Sequence, residues 1–163
     1  MADIQSAFVT DGINFGDIPA SIDAVLQRGV AAHRTDRAGA EHIFRQALEA
    51  APDCLPVYYC LYKVLAYSGQ LESARAIAYA GLARAAGRAG LSEDWRDWRL
   101  ASFQPDMSAE ARFALYTLKA LAFIALKAGA LGRAEAILGH LRVIDPADSV
   151  GWRVTEALAE GVR

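Results

Sequence analysis

A chain of 163 residues and 17.5 kDa has room for one domain or one short repeat array. Its 54% hydrophobic content supports a sizeable core, and its formal charge of −2, not gathered into tails, excludes a global basic field for nucleic acid and a polyelectrolyte arm. The longest stretch without a polar side chain, residues 120–126 between Lys119 and Lys127, is far short of the ~20 apolar residues a membrane span needs.

The N-terminus lacks a basic segment followed by an apolar one, so no secretory signal is expected and the expected location is cytoplasmic. Residues 1–20, with Gly12, Gly16 and Pro19, read as an extended lead with one helical turn near 3–9, and Phe8 and Phe15 imply that it docks. A helix is predicted over 21–33, with Ser21 as N-cap and Asp23 in the first turn. A second follows over 39–50 and stops at Pro52. The next pair is 56–68 and 71–86, joined at Gly69, where the left-handed conformation after a helix suits glycine. A third pair, 114–128 and 131–143, turns at Gly129 and stops before Pro146; Asp106 or Ser108 is offered as a start that carries its first helix back well before 114. Its first helix looks apolar all round and therefore needs cover on most sides.

The turns at Thr35 and Gly69 are 34 residues apart, and Gly69 and Gly129 are 60 apart, 26 more than one such period (60 − 34). The surplus, about 90–113, holds Trp95, Trp98 and Phe103 at helical spacing after Ser92, a helix-start residue, and before Pro105. A last helix over 149–161 carries Trp152, Thr155 and Ala159 on one face, with charges on the other.

Ala40, Phe44 and Pro52 fit the Ala-x3-Phe…Pro half of a 34-residue repeat, and Ala134, Leu138 and Pro146 fit it again. Tyr58 and Leu61 take its Trp and Leu positions, and Trp152 falls where a further repeat begins. On these residues the chain resembles the tetratricopeptide-repeat (TPR) family. The resemblance implies an all-α fold, a right-handed superhelical stack of antiparallel helix pairs (a TPR-like α-solenoid). After a lead over 1–20, a single domain over 21–161 would hold repeats at about 21–54, 55–88 and 115–148, an insertion at about 90–113 and a capping helix at 149–161. Ala24, Gln27 and Arg28 depart from the pattern in the first repeat, as does Ala78 in the second.

Nothing in the chain spells an enzyme. There is no phosphate-cradling glycine loop, no His-Glu-x-x-His, no Gly-x-Ser-x-Gly and no paired-cysteine metal site. Cys54 and Cys60 read as two small half-buried thiols, and His33, His42 and His140 as isolated histidines. Arg84, Arg88, Arg96 and Arg99 are diluted by Glu93, Asp94 and Asp97, so no nucleic-acid patch is expected. No cofactor, metal or membrane partner is expected either.

The resemblance implies that the first helix of each pair lines a concave groove. Its facing positions would include Gly29 and the candidate partner-binding residues His33, Tyr59, Lys63, Tyr67, Tyr116, Lys119, Phe123 and Lys127. These contain all three lysines of the chain. Aromatic walls with cationic tips suit a protein partner, a peptide or helix carrying apolar and acidic groups. Val25, Cys60 and Ala120 stand where a carboxylate clamp would need Lys, Asn or Arg, so a clamp is not expected. The expected function is a non-enzymatic adaptor or scaffold. The alternatives are a small chaperone for a secreted or assembling subunit, or a regulatory subunit binding through an outer face of Trp95, Trp98 and Phe103. A lead lying in the groove of a second protomer would make a homodimer.

Overall fold

Helices and the turns that join them account for the structure, a computed structural model that describes residues 13–163; no strand occurs among the described residues. The lead's predicted helical turn at 3–9 lies outside the described residues. The described residues hold seven α-helices: α1 (Ala20–His33), α2 (Arg37–Ala50), α3 (Leu55–Tyr67), α4 (Leu71–Ala89), α5 (Ala109–Lys127), α6 (Leu131–Ile144) and α7 (Trp152–Glu160). Two compact units meet in the chain between Ile77 and Ala78, within α4.

In the first unit α1 packs on α2, α2 on α3, and α1 on α3. Pro19, not Ser21, precedes α1; its carbonyl accepts from the amides of Ile22 and Asp23. Asp36 caps α2 by accepting from the Gly39 amide at 2.9 Å, so this helix starts two residues earlier than predicted. Leu26, Val30, Ala40, Phe44 and Ala47 form the buried seam of α1 and α2. Gly29 makes that seam possible, because a Cβ there would lie 2.3 Å from the Phe44 ring. The glycine therefore faces α2 and not a groove. Gln27, a departure from the repeat pattern, clasps the lead: its side chain accepts from the Ile13 amide and donates to the Ile13 carbonyl.

In the second unit α5 packs on α6, α6 on α7, and α5 on α7, the same order of contacts as in the first. The insertion departs from expectation. Instead of one helix it makes two short 3-10 turns, Trp95–Asp97 and Leu100–Ser102, with Trp98 and Arg99 extended between them. The Trp98 indole N–H bonds back to the Ser92 carbonyl at 2.8 Å, which a continuous helix would forbid, and its ring meets Phe103 at 5.8 Å. In α7, Trp152, Thr155 and Ala159 are buried as expected. The opposite side exposes Val154 and Leu158, and beyond the helix Val162, rather than charges alone.

The turn chemistry repeats. Gly69 and Gly129 have φ of 76° and 74°. Each closes a helix by the same pair of bonds: Gln70 N to Leu65 O with Gly69 N to Ala66 O, and Ala130 N to Ala125 O with Gly129 N to Leu126 O. The breaks after the second helices also match. The Tyr58 hydroxyl donates to the Pro52 carbonyl at 2.6 Å, and the Trp152 indole donates to the Asp145 carbonyl at 2.8 Å. Tyr58 and Trp152 are 94 residues apart (152 − 58), while their acceptors, Pro52 and Asp145, are 93 apart (145 − 52); the backbone bonds Cys54 N to Ala51 O and Asp148 N to Asp145 O keep the full 94 (148 − 54 and 145 − 51). The backbone bonding of the two breaks is thus consistent with a helical repeat.

Candidate functional site

In the first unit, α1 ends on His33 and α3 on Tyr67, 34 residues on, and their rings lie 5.6 Å apart. Burial, with the Arg37 guanidinium nearby, holds the His33 imidazole below its usual pKa. Arg37 also donates to the Tyr67 carbonyl at 3.1 Å, tying the start of α2 to the end of α3. One turn and two turns earlier on α3, Lys63 stands over the Tyr59 ring at 4.8 Å. Tyr59 and Tyr67 are partly exposed, whereas Lys63 is buried.

The second unit repeats the lysine–ring pairing on α5. The Lys119 ammonium sits 3.9 Å from the centroid of Tyr116 and donates to the Val150 carbonyl at 2.9 Å. It is buried, and that burial, partly offset by Asp148, pulls its pKa down from 10.5 to about 8. Lys127 lies 5.8 Å from the centroid of Phe123, and here the lysine is exposed. Of the three expected cationic tips, then, only Lys127 reaches solvent. The other two put their stems among apolar neighbours and their charge on a ring of their own helix.

The outer aromatic face also fails as an exposed surface. Trp95, Trp98 and Phe103 are all buried in the second unit, where Trp95 meets the His140 ring at 5.5 Å and His140 Nε2 lies 3.1 Å from the Trp98 carbonyl. Their spacing reads equally well as an anchor for a partner and as a core; the broken 3-10 path turns all three rings inward.

The remaining chemistry is sparse. Among the described residues no cluster of His, Cys, Asp and Glu could hold a metal, and no helix is long and apolar enough to cross a membrane. Burial pushes the Cys60 thiol far above its usual pKa, so it is no nucleophile at neutral pH.

Sequence reasoning passed over one residue, Asp145. It is 3% exposed, with one carboxylate oxygen buried and without a hydrogen-bond partner. The signal was present, because Asp145-Pro146 stands where the first hairpin has Ala51-Pro52. No family model matches the chain, and neither does any curated protein or solved structure.

Proposed function

We propose that the chain is a TPR-like stacked-repeat adaptor, without catalytic activity of its own, that holds a segment of a partner protein against the first helices of its hairpins. The observation that carries this reading is the ring contact between His33 and Tyr67. Two residues at the same place in consecutive hairpins touch, as they do when first helices lie side by side along one wall. In the first unit α3 supplies partly exposed aromatic residues, Tyr59 and Tyr67; in the second, taken by itself, α5 supplies Tyr116 and Phe123, with Lys127 as an exposed cation. Such rings give large contact area at low entropic cost and serve well as binding anchors. A peptide or helix with apolar anchors fits the rings of either unit, and in the second unit an acidic group suits Lys127.

The reading is tested by affinity capture from the native source with mass spectrometry, comparing the parent with a Tyr59→Ala/Tyr67→Ala variant. The wall model expects specific partners to drop at least about tenfold for two lost aromatic anchors, while the variant keeps its helical circular dichroism. Equal capture by parent and folded variant would contradict it.

A further inference from the structure

The second unit contains a half-open cavity of about 360 Å³ beside the end of α6. That volume is at the small end of ligand pockets, roughly 300–1,000 Å³, and suits a small molecule or one long side chain. Phe103, Pro105, Met107 and Ile144 supply apolar walls; the polar groups are Gln104 and, on the turn after α6, Asp145 and Ser149.

Asp145 is the unusual member. Its Oδ1 accepts from the Ser149 amide at 3.1 Å and from the Ser149 hydroxyl at 2.8 Å. Its Oδ2 is buried with no hydrogen-bond partner, and among the described residues no Lys, Arg or His pairs with it. A buried carboxylate left half-satisfied is costly. This one also caps the C-terminus of a helix, where the backbone dipole is negative, so two fields call for positive charge at the same place. The cations nearby are otherwise engaged: Lys119 on the Val150 carbonyl, Arg112 on the Ser149 carbonyl, Arg153 on the Pro146 carbonyl, Arg142 on Glu156.

We propose that this cavity binds an organic cation, an alkylammonium or alkylguanidinium, whose apolar stem lies along Phe103, Pro105, Met107 and Ile144 and whose charged head pairs with Asp145, the Oδ2 atom, closed to solvent here, turning toward the cavity to receive it. An uncharged stem would fill the walls and leave the carboxylate unsatisfied. An inorganic cation would satisfy the carboxylate and leave the walls empty. Only a cation on a stem uses both.

The test titrates the full chain with n-butylguanidinium and, as the neutral control, 1-pentanol, following the Met107 methyl and Ser149 amide resonances. The guanidinium is expected to bind about tenfold more tightly than the alcohol, through a charge-assisted hydrogen bond. Asp145→Asn keeps an acceptor for Ser149 but removes the charge, and is expected to erase that preference. Ala147→Phe adds bulk at an exposed lining position and leaves Asp145 in place; it is expected to abolish binding. A pentapeptide with a central arginine separates the sources of the cation. Binding within about threefold of the free guanidinium assigns a partner's side chain, and failure of the peptide alone assigns a small molecule, the charge pairing being the same in both. Equal affinity for alcohol and guanidinium, resonances that do not move, or unchanged binding by Asp145→Asn would overturn the proposal. Should Asp145→Asn not fold, undiminished binding by Ala147→Phe would overturn it.

Discussion

Lys119 shows how far a single residue's position can differ from what its chemistry advertises. Read along the chain, a lysine on the first helix of a hairpin is a groove cation; in the structure its ammonium rests on Tyr116 and on the Val150 carbonyl. The pairing was legible in the spacing, since Tyr59 and Lys63, Tyr116 and Lys119, and Phe123 and Lys127 are three or four residues apart on one helix face. What the spacing lacked was the depth at which each pair sits. That depth has a measurable consequence. The unfolded chain holds Lys119 near 10.5 and the folded chain near 8. Between those pH values the unfolded state carries more protons, so stability rises with pH through the window, and the burial penalty is fully present below pH 8. A difference of this size corresponds to roughly 3 kcal/mol. Urea unfolding of the parent should show that gain between pH 7 and pH 10 relative to Lys119→Met, which lacks the group. Parallel pH dependence in the two proteins would show the ammonium to be solvated.

At the level of elements, what was readable and what was not divides by mechanism. Gly69 and Gly129 located two hairpin turns because a helix closed by the paired bonds seen here requires a left-handed residue. That requirement is local, so one residue type reveals it. Gly129→Ala should therefore lower stability by about 1 kcal/mol although a Cβ there meets no neighbour, the cost being conformational rather than steric. Thermal unfolding would measure it, and an unchanged midpoint would mean that the turn does not hold its left-handed residue. The insertion carried equally good local signals, Ser92 at a helix start and Pro105 at a stop, yet forms no α-helix. Here the decisive terms are long-range: Trp95 packs on His140 of α6, and His140 Nε2 lies 3.1 Å from the Trp98 carbonyl. The start of α5 was legible for a local reason: Ser108, one of the two residues offered as its start, accepts from the Ala111 amide and begins that helix well before residue 114. Gln27 looked like a defect in the repeat and is a clasp for the lead, a role visible only once Ile13 lies beside it.

Across the molecule, the helical class, the pairing of consecutive helices and the 94-residue correspondence between the two hydrogen-bonded breaks all follow from phase. Phase survives degeneracy because it needs only small and large residues at recurring distances. The candidate wall was less legible, since the same first-helix positions serve burial and recognition together. Gly29 belongs to the α2 interface; Tyr59, Tyr67, Tyr116 and Phe123 keep partly exposed rings. The adaptor reading therefore stands or falls on where a partner sits. The most direct measurement is hydrogen–deuterium exchange of the protein alone and with a captured partner. The account predicts that protection gained on binding falls on α3 (Leu55–Tyr67) in the first unit or α5 (Ala109–Lys127) in the second, the helices that carry the aromatic residues. Protection confined to α2, α6 or the Trp95–Ser102 segment, with α3 and α5 unchanged, would contradict it.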